Sequence, residues 1–256
     1  MIKAAFFDVD GTLLSHKTKT VSQSTRRALE QLQKSGIECI VATGRHICQF
    51  AHLPVDDVPF DGYITLNGQL VLDQNREVLF GTPITGKTKD FLIGLFSDHV
   101  IPALIVEEEA VYLNFEDDRV RLVQEAISTP VPHLGTYSGA DIYQFCAYLA
   151  KGDEKVLDPI RDACVMTRWN IGGVDVFAKG GGKVTGIKRF LEANGIAPEE
   201  TIAFGDGEND MDMLTFAGIG IAMGNADEQV KQCADYVTAD VDEDGIEKAL
   251  KHFGIL

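Results

Sequence analysis

The chain is short of positive charge. Its 256 residues carry 23 Lys and Arg against 39 Asp and Glu, a formal net charge of −16. That balance excludes general nucleic-acid binding and adhesion to anionic membranes, both of which need a basic face. Long apolar runs are also missing. No stretch approaches the ~18 residues of a membrane span, and Asp8 and Asp10 interrupt the first apolar segment before it reaches the length of a leader. Paired cysteines are absent too. The five, Cys39, Cys48, Cys146, Cys164 and Cys233, are odd in number, include no CxxC and share no ligand spacing with the six histidines. This argues against a disulfide framework and against zinc, and it fits free thiols in a reducing compartment. The sequence reads as a cytoplasmic protein.

What is present is ordinary core material, with 45% hydrophobic and 24% charged residues. The length allows one large domain or two smaller ones. In the first third, strand and helix signals alternate. Ala4–Phe7 is a continuous apolar run, as for a strand covered on both faces. Ser22 or Ser24 caps a helix carrying Ala28, Leu29 and Leu32, with Gly36 as its stop. Strands follow at Ile37–Ala42 and Tyr63–Leu66, and Asn67-Gly68 makes a hairpin turn into Gln69–Leu72. This order predicts a parallel sheet with helices on both faces.

The middle has another rhythm. After a break at Gly81-Thr82-Pro83 come a helix near Lys87–Phe96, strands at Ala103–Val106 and Val111–Phe115, and a helix near Arg119–Ile127. Strand-like runs at Tyr143–Leu149, Val165–Trp169 and Val174–Phe177 follow, with a helical stretch near Lys155–Ala163. The glycine run ending at Gly182 closes this segment, and the strand–helix alternation resumes to the last helix near Ile246–His252. The expected fold class is α/β: a doubly wound, Rossmann-like parallel-sheet core with an inserted α+β cap domain. The core takes residues 1–82 and 180–256, and the cap takes 83–179.

Two acidic loops carry the chemistry. Asp8-Val9-Asp10-Gly11-Thr12 follows the first strand, and continued alternation would point Asp8 and Asp10 to one side. Like charges that close need a proton or a cation to compensate them. Gly205-Asp206-Gly207-Glu208-Asn209-Asp210 follows another apolar run, Thr201–Phe204, and opens a helix at Met211. Acidic loops at two strand ends point to a divalent metal at the rim of the sheet, with Mg²⁺ suited to hard oxygen ligands. In DVDGT one carboxylate is placed for nucleophilic attack and the other for proton transfer. A calcium loop is excluded because Leu13-Leu14 breaks the ligand series. Thr43-Gly44, at a strand end, offers a hydroxyl and an amide to phosphate oxygens. Lys183, in the first turn of a helix, offers a charge to a transferring phosphoryl group.

DVDGT at 8–12, Thr43-Gly44-Arg45, Lys183 and GDGEND at 205–210 stand in the order of the four motifs of the haloacid dehalogenase-like (HAD) superfamily, which the whole chain resembles. The place of the insert is similar to the large α/β (type IIB) cap of its Cof-type phosphatases. The resemblance implies a Mg²⁺-dependent phosphatase hydrolysing a small phosphorylated metabolite, such as a sugar phosphate, through an aspartyl-phosphate. Asp8 would be the nucleophile and Asp10 the general acid and base. Asp8, the Asp10 carbonyl and Asp206 would hold the metal. Thr43, Gly44, Lys183 and Asn209 would hold phosphate, with Asp210 orienting Lys183. The cap would close over the site through its glycine hinges. Dehalogenases and transport ATPases of the superfamily lack a second aspartate, so Asp10 argues against both. A phosphomannomutase-like phosphotransferase is the alternative.

Overall fold

The computed structural model describes residues 1–126 and 129–256. The chain runs β1 (Ala4–Phe7), α1 (Gln23–Lys34), β2 (Glu38–Ala42), β3 (Gly62–Thr65), β4 (Leu70–Asp73) and β5 (Val78–Gly81). Next come α2 (Gly86–Ser97), β6 (Ala103–Val106), β7 (Val111–Leu113), α3 (Asp118–Ala126), β8 (Gln144–Tyr148), β9 (Cys164–Asn170) and β10 (Gly173–Ala178). The last part is α4 (Lys183–Asn194), β11 (Thr201–Gly205), α5 (Met211–Phe216), β12 (Ile219–Ala222), α6 (Glu228–Lys231), β13 (Tyr236–Val237) and α7 (Gly245–His252). Two compact units result, one made of Met1–Phe80 with Gly182–Leu256, the other of Gly81–Gly181.

The first unit is a doubly wound α/β fold around one sheet, ordered β13-β12-β11-β1-β2-β3-β4-β5. β1 lies at its centre. It pairs in parallel with β11, Ala4 opposite Thr201 and Phe7 opposite Phe204, and with β2, Ala4 opposite Glu38 and Phe7 opposite Val41. All four β1 residues are buried, which is why the run is apolar without alternation. Phe6 faces the α4 side and meets Phe190 edge-on at 6.1 Å, while Phe7 on the other side stacks on Phe204 at 5.1 Å. On the Phe6 side Ile40, Ile64, Ile187, Phe190, Leu191 and Met213 close the core. Ser22 is the cap of α1, its hydroxyl accepting from the Thr25 N–H at 3.1 Å. Because β1, β2, β3 and β11 run parallel to one another, their carboxyl ends share one rim.

The second unit is an antiparallel sheet, β7-β6-β8-β10-β9, with two helices. Leu92 and Phe96 of α2 pack on Ile105, Phe145 and Val176 of the sheet. The stretch expected as a helix near Lys155–Ala163 is instead a 3₁₀ segment over Asp153–Ile160. Pro159 inside it has no N–H to extend a helical ladder. Of the helix expected over Arg119–Ile127, Ile127 lies outside the described residues.

Two strands escaped the pattern. β13 has only two residues, and β5 is an exposed edge strand. The turn at Asn67-Gly68 also differs from a two-residue hairpin. Thr65 faces Leu70, so Leu66–Gln69 forms a four-residue connection. Leu66, Asn67 and Gly68 are successively left-handed, with φ of 52°, 52° and 88°. For each of the two non-glycine residues this costs about 1–2 kcal/mol. Close packing imposes the shape: a Cβ on Gly68 would lie 2.2 Å from the Gly182 carbonyl oxygen.

Candidate active site

The rim of the first unit's sheet gathers both acidic loops. β1 stops being extended at Phe7, and the Val9 carbonyl then accepts from the N–H groups of Leu13 and Leu14 at 3.1 and 2.7 Å. The chain turns back on itself there, so Asp10 stands in a turn and not on a continued strand. Gly11, with φ of 88°, brings the backbone against the second loop: a Cβ there would sit 2.1 Å from Asp206 Oδ2. Only glycine combines that φ with that approach.

Lys183 is the buried centre. Its Nζ donates to Asp8 Oδ1 and Asp210 Oδ1, both at 2.5 Å. Asp210 is fully buried, and its Oδ2 accepts from the backbone N–H groups of Asp206 and Gly207 at 3.0 and 2.9 Å. Asp210 therefore holds both the lysine and the loop that carries Asp206. Asp206 in turn accepts from the Thr12 hydroxyl at 3.0 Å and from Asn225 Nδ2 at 3.1 Å. Asn225 also donates to the Gly11 carbonyl at 2.9 Å and accepts from the Val241 N–H at 3.0 Å, tying three loops together.

Carboxylate oxygens of Asp8, Asp206 and Asp210 lie within 4.8 Å of one another. Burial pushes the Asp8 carboxyl well above its usual range; Asp210 pushes the same way and Lys183 opposes. The repulsion of Asp206 and then of Asp10 follows. The crowding on Asp8 thus comes more from the distant acidic loop than from its neighbour in DVDGT. Asp206 is raised to about 7, by burial first and then by Asp210. For Lys183 burial acts downward, but Asp210 and Asp8 outweigh it and raise its pKa. With all three acids ionised, one lysine would leave two negative charges uncompensated in a water-poor place, and that crowding is part of what raises Asp8 and Asp206. A hard divalent cation fits that deficit and that all-oxygen donor set.

The Asp10 side chain is not one of this trio. Its two oxygens accept from Arg45, Oδ2 from Nε at 2.6 Å and Oδ1 from Nη2 at 2.8 Å. Thr43 is buried at the end of β2, and its hydroxyl oxygen accepts from the Arg45 N–H at 3.2 Å, leaving the O–H free to donate elsewhere. Gly44 lies against Asn67, whose amide atoms would be 3.2 Å from a Cβ there. Asn67 Oδ1 accepts from Asn209 Nδ2 at 3.1 Å. Asn67, a turn residue on its sequence signature, is thereby joined to the GDGEND loop. Asn225 carried no sequence signal at all; it lies in a Gly-Asn-Ala turn after β12, outside any acidic cluster.

Acids at the carboxyl end of a central parallel strand, a buried lysine shared between them and a threonine on the neighbouring strand end define a phosphoryl-transfer hydrolase of the HAD kind. Residues 5–250 match the family model for haloacid dehalogenase-like hydrolases, and the chain belongs to that family. It is 32% identical to the putative phosphatase YkrA of Bacillus subtilis, over 99% of this chain and 98% of that one. It is 30% identical to the pyridoxal phosphate phosphatase YbhA of Escherichia coli, over 93% and 94%. Among solved structures it is similar to BT1666, a HAD phosphatase of Bacteroides thetaiotaomicron, with 36% identity, a TM-score of 0.91 and coverage of 100% and 96%. It is also similar to the HAD subclass IIB sugar phosphatase BT4131, with 37% identity, a TM-score of 0.86 and coverage of 99% and 100%.

Proposed function

We propose that this enzyme is a Mg²⁺-dependent phosphatase that hydrolyses a small phosphate monoester, a sugar phosphate or similar metabolite, through an aspartyl-phosphate on Asp8. The observation that carries the reading is the 2.5 Å contact of buried Lys183 with both Asp8 and Asp210, beside Asp206. Asp8 and Asp206, with the Asp10 carbonyl, would hold the metal, which offsets charge on the transferring group when bound. Asp8 Oδ attacks phosphorus as the ester P–O bond breaks. Lys183 lies within reach of the same oxygens, and Asp210 holds it there. Thr43, Gly44 and Asn209 hold the phosphoryl oxygens. The Asp10 carboxyl gives a proton to the departing alcohol, then takes one from the water that splits the aspartyl-phosphate.

The named activities of relatives support phosphorylated metabolites as substrates. They include the pyridoxal phosphate phosphatase, the subclass IIB sugar phosphatase and the 5-amino-6-(5-phospho-D-ribitylamino)uracil phosphatase YitU of Bacillus subtilis, which is 27% identical. A cytoplasmic location is our reading of five cysteines that form no disulfide. The test is phosphate release over sugar phosphates, nucleotides, flavin mononucleotide and pyridoxal phosphate, with Mg²⁺ or with chelator. Release should need the metal and fall by at least ~10³-fold in Asp8→Asn. Full turnover in that variant would refute the nucleophile. An isomeric sugar phosphate in place of free phosphate would assign the protein to the mutases.

A further inference from the structure

We infer that Arg45 is a positioning residue for proton transfer: its guanidinium fork fixes the plane of the Asp10 carboxyl toward the leaving oxygen. The inference rests on the reading just given. Four observations carry it. Both contacts are short and nearly equal, 2.6 and 2.8 Å, so the pair is a true two-pronged fork. The Arg45 backbone is held at both ends, its N–H by the Thr43 hydroxyl at 3.2 Å and its carbonyl by the Leu66 N–H at 3.2 Å. The arginine therefore stands on the same strand end and the same strained turn that build the site. Asp10 lies in the turn after β1 and its side chain is one-third exposed, so nothing as enclosing as the Lys183 cavity restrains it. Finally, a carboxylate has about four lone-pair sites. The fork occupies two, and each oxygen keeps a further site for the proton in transit.

In the first step the ester P–O bond breaks and its electron pair goes to the alcohol oxygen, which takes the proton carried by Asp10. Asp8 Oδ forms the new bond to phosphorus. The orientation of Asp10 therefore matters in proportion to how much the leaving oxygen needs that proton. An alkoxide needs it; a nitrophenolate, stabilised by its ring, does not.

The experiment compares Arg45→Met with wild type on two esters, glycerol phosphate and p-nitrophenyl phosphate, by rapid mixing that isolates formation of the phosphoenzyme. The expected loss is ~10²-fold for the alkyl ester and less than about threefold for the nitrophenyl ester. In an Asp10→Asn background, adding Arg45→Met should change the alkyl rate by less than about twofold, because the arginine acts through the carboxyl already removed. Arg45→Lys keeps the charge but not the fork, and should recover less than about tenfold of the loss. Equal losses on both esters, a raised KM that adds to the effect of Asp10→Asn, or full recovery by lysine would each overturn the inference. The first two would mark Arg45 as a phosphate contact. Failure of the underlying reading looks different: wild type and Asp8→Asn would then be alike, both releasing phosphate or both without release.

Discussion

At the scale of single residues, two charged groups are buried in opposite ways. Lys183 touches two acids; Glu38 has no such arrangement. One of its oxygens, Oε2, is buried without a hydrogen-bond partner. Burial raises its pKa above the ordinary 4.5, and Asp61 adds to the rise. A carboxyl raised on folding favours the folded state while protonated, and that advantage is lost as pH climbs above 4.5 and through the raised value. Glu38→Gln should therefore raise the melting temperature at pH 7 by roughly 1–3 °C. The gain should vanish at pH 4, where the wild-type side chain already carries its proton. Melting curves at both pH values check this, and an equal gain at both would show that charge is not the cause. The same scale shows what a sequence reveals of a site. Asp8, Thr43, Lys183, Asp206 and Asp210 are legible because their chemistry is tied to a strand end or a helix start. The pairing of Asp10 with Arg45, and the three-loop tie made by Asn225, are not. They depend on side chains from separate loops meeting, for which no local spacing exists.

At the scale of elements, apolar runs and helix periodicity marked most strands and helices, because each buries a patterned face in a sheet-and-helix sandwich. β13 was too short to leave a pattern, and the Asp153–Ile160 segment yielded to one proline. The Leu66–Gly68 turn owes its shape to partners far along the chain, Gly182 and Asn209. Helix α1 depends on a local device, the Ser22 cap. Ser22→Ala should cost about 1 kcal/mol, whereas Ser22→Asp should hold stability within a few tenths of wild type. Urea midpoints followed by circular dichroism measure both, and an unchanged midpoint in Ser22→Ala would remove the cap from the account.

For the whole molecule, the governing quantity is negative charge. The formal −16 is spread over the chain, yet three carboxyl groups are gathered around one lysine in the acid cluster at the rim. A cation bound there stabilises the folded state by mass action, about 2.7 kcal/mol at a hundred times its dissociation constant. Mg²⁺ should raise the melting temperature in a saturable way, and excess chelator should reverse it. In Asp206→Asn the effect should shift to at least ~10-fold higher Mg²⁺. An equal shift with sodium chloride at matched ionic strength would reduce the effect to screening of the overall charge.

The central place of β1, flanked by β2 on one side and β11 on the other, also sets a timetable for synthesis. β1 can pair with β2 soon after both are made, but its other edge stays unpaired until Thr201–Gly205 has been made. Meanwhile its bare edge is open to pairing with a neighbouring chain. A nascent polypeptide halted before α4 holds Asp8 but neither Lys183 nor Asp206 and Asp210, which surround it in the folded protein. Such an unfinished product keeps a bare strand edge and lacks the assembled acid cluster, so the site forms only after α4 and β11 have been made.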